Sequence, residues 1–476
     1  MNARKIGLIL GPLVFAITAL APPPEGMSGE AFMVAGLVVW MAAWWMTEAV
    51  PLTATAFLPF IWLPLGGIMD ARATASSYYA PILFLLLGGA FIALAIERTG
   101  LHRRLSLAIL KGIGSSGGQF RLLFAFMISA ALLSMLISNT STTLIMMPMA
   151  LAVLAGGASL QSEGGRLETQ GLSGALPMGI AFAASIGGLG TIVGSPTNGI
   201  AVQLLDDMIG LEISFALWMV YGLPVVLLGV PLAAAIIARV QRVSAHPFDV
   251  AAARRSIDDA KAWSTAEKRL VPIIAITFAL WMTRRWVAPY LPDNSWTDGT
   301  IAILASMALF LLPDGTGRPL LKWKEADRAP WGVIMMFGGG LALAAGMKES
   351  GLAVWLGEAL LPLEAIPLIL MTLAIVAMVV LVTEFASNVA TASAIIPVVA
   401  SLAAALGLGE DAILIAMPAA LAASWGFILP AGTGPNAIAW STGRLTIGNL
   451  VRAGLVLDLF GILLVIGMVW GIASVI

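Results

Sequence analysis

The sequence contains no cysteine, which excludes disulfides, thiolate metal sites and cysteine nucleophiles and fits a bacterial inner membrane. Charge is scarce too: Asp, Glu, Lys and Arg make up 11% of residues, against 59% hydrophobic ones. A mean hydropathy of +0.97 lies far outside the soluble range, so the chain reads as a polytopic membrane protein. The 2 histidines, His102 and His246, fall in basic or loop segments and are not expected to act as ligands. No Asp pair, His cluster or serine with a nearby base stands out inside the apolar runs, which weighs against an intramembrane enzyme. The 4 tyrosines are outnumbered by 15 tryptophans, leaving interface anchoring mainly to tryptophan. A net charge of -1 says nothing about a substrate, and nothing points to a nucleic-acid partner.

What is present is length for many crossings. With 476 residues and spans of roughly 20 residues, the fold class expected is an all-α polytopic membrane protein of about eleven transmembrane helices plus two re-entrant hairpins. Arg4 and Lys5 followed by the apolar run Ile6 to Leu20 imitate a signal peptide. Pro22, Pro23 and Pro24 make a poor cleavage site, so residues 1–30 are expected to hold a retained first transmembrane helix. Residues 31–240 form a first half, 241–268 a hydrophilic cytoplasmic linker and 269–476 a second half. The basic stretch from Arg98 to Lys111 is expected either along the inner interface or as an ordinary basic loop.

In the first half, six small polar residues, Ser138 to Thr143, interrupt an apolar stretch long enough to enter and leave the bilayer (about 120–155). Irregular backbone at that depth is tolerated only inside protein or at a water-filled cavity, so the stretch predicts a re-entrant hairpin with an internal tip. A later span (about 176–204) is interrupted by Gly194, Ser195, Pro196, Thr197 and Asn198, which predicts an unwound helix with free carbonyls. The second half repeats the plan: a polar island at Thr383 to Thr391 within 366–406, and a span at 413–441 broken by Gly432, Thr433, Gly434, Pro435 and Asn436.

Three matches tie the halves together. GGAFIALAIERTGL at Gly88 to Leu101 matches GGLALAAGMKESGL at Gly339 to Leu352. Ser138, Asn139 and Pro148 align with Ser387, Asn388 and Pro397, and Ala183 to Ser185 and Asn198 align with Ala422 to Ser424 and Asn436. Their shared order at slowly drifting spacing indicates internal duplication. Cytoplasmic loops retain Lys and Arg. With the N-terminus inside and both islands returning to the side they enter from, only Arg72, Arg284, Arg285 and Lys348 of the 25 basic residues fall outside. The matched segments then run in opposite directions, and the C-terminus is periplasmic. An inverted repeat with one hairpin and one broken helix per half is the plan of a secondary transporter, whose ligands sit near the midplane. Helix N-termini and hydroxyls suit an oxyanion, while freed carbonyls and hydroxyls suit a hard cation such as sodium. Neither island and neither break contains Lys or Arg. Gly338 to Gly340 lack the lysine of a phosphate loop and are expected to serve close packing. Glu48 and Glu97 sit at helix ends and suggest solvated or capping roles; Glu384 adjoins the second island and fits either hairpin support or a functional charge.

The paired Ser-Asn-Thr-type islands, each followed downstream by a Gly/Thr/Pro/Asn break, resemble the divalent anion:sodium symporter family over nearly the whole chain. The resemblance implies a sodium-coupled importer of succinate, citrate or another divalent anion, working by elevator-type alternating access as a homodimer with scaffold and transport domains in the bacterial inner membrane. By position, it implies substrate contacts from Ser138, Asn139, Thr140, Ser195, Pro196, Ser387, Asn388, Val389, Thr433 and Gly434. It further implies a first sodium site from Ser134, Ser138, Asn139 and Gly194, and a second from Thr383, Ala386, Asn388 and Gly432. Val389 stands where the family has threonine, which makes that side of the pocket more apolar. A sodium-independent dicarboxylate exchanger would keep the same hairpins. A proton-coupled antiporter of related architecture would need a buried carboxylate, for which Glu384 is the candidate.

Overall fold

The computed structural model describes residues 3–114, 118–157, 168–246, 248–255 and 262–475, and every regular element among them is helical. Helices α1 (Ala3–Leu20) and α2 (Gly29–Thr47) pack against each other along their length. The stretch Leu52 to Ile68, expected as one span, is instead two short helices, α3 (Leu52–Thr55) and α4 (Leu58–Leu65), followed by α5 (Ala71–Ser77). Pro59 enters at the second helix's first turn and Pro64 near its end; proline lacks the N–H that a continuous helix needs. The first half continues with α6 (Pro81–Thr99), α7 (Leu101–Gly114), α8 (Gln119–Ser134), α9 (Asn139–Gly157), α10 (Gly171–Gly187), α11 (Pro196–Ile209) and α12 (Phe215–Val240).

The second half comprises α13 (Val250–Arg255), α14 (Thr265–Val287), α15 (Asp298–Leu311), α16 (Trp323–Ala326), α17 (Trp331–Glu349), α18 (Leu352–Leu360), α19 (Leu368–Phe385), α20 (Asn388–Ala405), α21 (Ile413–Ala422), α22 (Gly434–Ser441) and α23 (Ile447–Ala473). By length and composition, 10 helical stretches among the described residues suffice to cross a membrane. Burial sorts them into layers. Helix α10 is buried along its whole length, whereas α23 exposes Leu455, Leu459, Phe460 and Leu463 and α19 exposes Leu370 and Leu381, as lipid-facing helices do. Small residues bring the inner helices together: a Cβ on Gly187 would lie 2.4 Å from the Ala131 carbonyl oxygen of α8. The glycine run of α17 serves the same purpose, Gly338 lying against Tyr78 and Gly339 against the Ala56 backbone.

Both breaks lie earlier than expected. After α10 come two short 3-10 turns (Gly188–Gly190 and Ile192–Gly194), and Pro196 already opens α11. After α21 the chain is irregular until Thr433, and Gly434 and Pro435 open α22. Proline is well placed in a helix's first turn, where its missing N–H has no partner to lose. Residues 196–198 and 434–436 therefore start helices rather than interrupting them.

The linker expected as a solvated segment is anchored where it is described; residues 247 and 256–261 lie outside the described residues. The Phe248 ring packs on Gly157 at the end of α9. Glu267 closes a capping box with Ser264 at the start of α14 and accepts a hydrogen bond from Arg104 of α7 at 2.6 Å. A second clamp holds the loop between α15 and α17: Arg98, at the end of α6, donates to Asp314 and to the carbonyls of Pro319 and Leu320. Arg318 and Glu325 of the same loop pair at 2.6 Å. This clamp sets Arg328 beside the C-terminal turn of α6.

Candidate substrate and cation site

Each polar island is a turn between helices. Helix α8 ends at Ser134, the chain turns through residues 135–138, and α9 starts at Asn139; α19 ends at Phe385 and α20 starts at Asn388. Serine before a helix satisfies backbone N–H groups that have no intrahelical acceptor. The Ser141 N–H donates to Ser138 Oγ and the Ala390 N–H to Ser387 Oγ, both at 3.2 Å. At the breaks, Ser195 and Thr433 stand at the same cap position, and Thr433 Oγ1 accepts from the Asn436 N–H at 3.2 Å.

These four helix N-termini line one cavity of about 460 Å3. Ser138, Asn139, Thr140, Ser195, Pro196, Ser387, Asn388, Val389, Thr433 and Gly434 all face it. Leu86, Ala90, Leu94, Val333 and Ile334 supply an apolar wall. The cavity has one charged pair among its lining residues, Glu97 with Arg328 at 2.9 Å, and their exposure marks its open end. Gly434 is needed for closure: a Cβ there would fall 2.5 Å from Thr140 Oγ1.

Behind each tip lies a nest of oxygens built the same way in both halves. In the first, Ser134 Oγ lies 2.6 Å from the Asn139 side-chain amide, with the carbonyls of Ala184 and Gly194 at 3.1 and 3.2 Å from the same end of that amide. If this end is Oδ1, only the Ser134 hydroxyl can donate to it and the two carbonyls face it oxygen to oxygen; if it is Nδ2, its two N–H groups have all three oxygens as acceptors within reach. In the second, Thr383 Oγ1 lies 2.9 Å from Asn388 Oδ1 and 2.8 Å from the carbonyl of Ala423, the residue aligned with Ala184. Asn198 Nδ2 donates to the carbonyls of Gly188 and Thr191, both at 2.8 Å, and Asn436 Nδ2 to that of Leu429 at 3.1 Å, so both asparagines tie the irregular backbone. Their oxygens remain without a partner, as do the hydroxyls of the aligned pairs Ser185 with Ser424 and Thr142 with Thr391.

Ser138 turns its hydroxyl to Ser141 Oγ at 2.9 Å. Ala386 is buried and extended (φ -122, ψ 159), and Gly432 lies against the Glu384 carbonyl.

Two groups escaped the reading of the sequence. Arg328 gives the cavity a basic residue from outside the islands and breaks, and Glu97, exposed at the end of α6 as expected, is its partner. Asp458, within α23, is buried and faces the Glu384 carboxyl, so Glu384 is not the sole intramembrane carboxylate and an acidic pair does lie inside the spans. Its signal was available: Asp458 is the single acid of an otherwise apolar span, a pattern that marks function by default. Glu384 takes the supporting role: its carboxylate accepts the Ile428 and Leu429 N–H groups at 3.0 Å, holding the irregular segment after α21.

Comparison with known proteins matches residues 2–476 to the family described as the sodium:sulfate symporter transmembrane region. The chain is 37% identical over 475 residues to the sodium-dependent dicarboxylate transporter SdcS of Staphylococcus saprophyticus, covering 98% of this chain and 91% of the relative. It is 38% identical over 481 residues to SdcS of Staphylococcus aureus, covering 99% and 92%. Among solved structures, the Alcanivorax borkumensis YdaH transporter is similar in fold, with a TM-score of 0.61 at 15% identity over 100% of this chain and 99% of the other. Neisseria gonorrhoeae MtrF gives 0.56 at 12% identity over 98% and 94%.

Proposed function

The chain belongs to the sodium:sulfate symporter family, the divalent anion:sodium symporters that its islands and breaks resemble, and on that premise we propose that it imports a dicarboxylate together with sodium. It is a multi-pass bacterial membrane protein and a transporter, not an enzyme. The observation that carries the reading is the convergence of four helix N-termini on one cavity. Each such terminus presents roughly half a positive charge and free N–H donors, so the cavity attracts anions although its one arginine is paired. Two carboxylates of one substrate, succinate or citrate in class, each meet one tip: Ser138, Asn139 and Thr140 on one side, Ser387 and Asn388 on the other. Ser195, Pro196, Thr433 and Gly434 close the floor, and Val389 meets the carbon chain.

Sodium occupies the oxygen nests, where hydroxyl, amide and carbonyl oxygens make a donor set for a hard monovalent cation. Coupling follows from the asparagines. A cation in the first nest holds Asn139 Oδ1 inward and turns Nδ2 to the cavity, where it donates to a substrate carboxylate. Without the cation, Nδ2 donates into the nest, as its distances to Ser134, Ala184 and Gly194 allow, and Oδ1 faces the anion. Asn388 and Thr383 act alike in the second nest. The tips and broken helices move together as the transport domain of an elevator while the other helices form the scaffold of a homodimer. With the N-terminus cytoplasmic and the C-terminus periplasmic in the inner membrane, the Glu97–Arg328 mouth opens to the cytoplasm.

The test is uptake of labelled succinate into proteoliposomes. Uptake into an empty lumen driven by an inward sodium gradient is expected. Strict dependence on internal dicarboxylate would replace symport by exchange, and inert succinate, citrate and sulfate would overturn the reading.

A further inference from the structure

We propose that the end of α11 and the loop after it form an ionic latch with α14, α15 and α17, which holds the cavity open at the Glu97–Arg328 mouth and has to release before the cavity opens at its other end. The latch presupposes the elevator movement proposed above, but neither sodium nor the identity of the anion. Helix α6 gives the scale. Its start lies against α15, where a Cβ on Gly299 would fall 2.8 Å from the Pro81 carbonyl oxygen. Glu97 stands 16 residues beyond Pro81, about 24 Å along the helix, so the mouth and the start of α15 lie at opposite ends of α6. At the α15 end, Arg284 of α14 donates to the Trp296 carbonyl and to the buried Asp298 carboxylate, both at 3.3 Å. Its other arm reaches Glu212, in the loop after α11, at 2.9 Å. Asp298 also accepts the Phe215 N–H at 3.0 Å. Lys348, in the last turn of α17, donates to the carbonyl of Asp207, in the last turn of α11, at 3.0 Å.

Helix α11 starts at the cavity with Pro196 and ends at these contacts. A movement of its N-terminus against α14 and α17 is therefore carried to Asp207 and Glu212, and a hydrogen bond near 3 Å is lost within about 1 Å of displacement. The two sides are complementary in charge: Asp206, Asp207 and Glu212 on one, Arg284 and Lys348 on the other. Arg284 and Lys348 are two of the four basic residues that the charge count leaves on that face, so the contact is not one choice among many. A pair as exposed as Arg284 with Glu212 is weak by itself, which suits a latch that opens in every cycle and biases the balance without locking it. The Glu97–Arg328 pair differs: it joins α6 to the loop before α17, both outside the tips and broken helices, and need not separate when α11 moves.

Because the chain has no cysteine, Leu211→Cys and Tyr290→Cys place two spin labels on either side of the latch without further change. The test is the distance between them in the purified full-length protein in lipid nanodiscs, read by pulsed electron spin resonance. Two populations are expected, a shorter one with the contacts above and a longer one with the latch released. Arg284→Gln is expected to move the balance toward the longer distance about twofold to fivefold, the worth of one exposed ion pair. Added salt should act in the same direction. Should Arg284→Gln fail to fold, Glu212→Gln, at an exposed side chain, must produce the same shift. A single distance in every sample, or a balance that neither variant moves, overturns the proposal. Uptake keeps the readings apart. Sodium-driven uptake with a single distance would defeat the latch and the elevator while leaving transport in place; two distances that respond to Arg284 in a protein that transports nothing would leave the latch and defeat the dicarboxylate reading.

Discussion

At the residue scale, the account rests on the two asparagines that begin α9 and α20. Each touches a nest on one side and the cavity on the other, so under the proposed sodium–dicarboxylate reading its loss would remove a cation ligand and a substrate donor together. Asn139→Ala and Asn388→Ala are each expected to lower sodium-driven uptake at least about 100-fold, since a buried site left with unpaired polar groups loses about 1–3 kcal/mol for each of them. Size-exclusion profiles should stay unchanged, because the helices that each asparagine bridges also pack through buried apolar side chains. Asn139→Asp separates the two roles: it keeps the oxygen for the cation and has no Nδ2 to donate. Sodium should still stabilise that variant in a thermal shift assay while succinate no longer does; protection by succinate would show that the amide does not bind substrate. Ser138, Asn139, Ser387 and Asn388 were legible in the sequence because polar residues in apolar runs stand out. The amide's two settings were not, since they depend on Ala184 and Gly194 carbonyls distant in the chain.

At the element scale, the sequence announced the turns and breaks but misplaced the latter by several residues. Proline and glycine mark a disturbance without saying on which side of it the helix lies, and here Pro196 and Pro435 belong to the new helix. The run Leu52 to Ile68 shows the same ambiguity, being apolar enough for one span yet cut into α3 and α4. Close packing by α17 was foreseen from its glycines, and Gly339 shows how tight it is: a Cβ there meets the Ala56 carbonyl oxygen at 2.4 Å. Gly339→Val is therefore expected to cost about 1–3 kcal/mol through overpacking, read as a lowered Tm in detergent. An unchanged Tm would mean that α3 and α17 separate without penalty.

At the scale of the whole molecule, hydropathy made the membrane class plain, whereas the cavity's mouth depended on tertiary contacts. Arg328 reaches it because Arg98 clamps the loop before α17, a contact between distant segments that no local pattern announces. Its guanidinium is exposed and paired with Glu97, so it steers anions rather than binding them tightly. Arg328→Gln is expected to raise the KM for succinate a few-fold on the cytoplasmic side at low ionic strength, with the difference shrinking as salt is added. A change in maximal rate alone would place Arg328 in the moving parts instead. The central claim is that one cavity binds a dicarboxylate only when its nests hold sodium, and binding free energies coupled in this way are reciprocal. Calorimetric titration of the purified protein with succinate tests it most directly. In sodium, succinate should bind, and raising succinate should tighten sodium in equal measure; in choline, succinate binding should be lost or weakened at least about tenfold. Equal succinate affinity in the two salts would contradict the account.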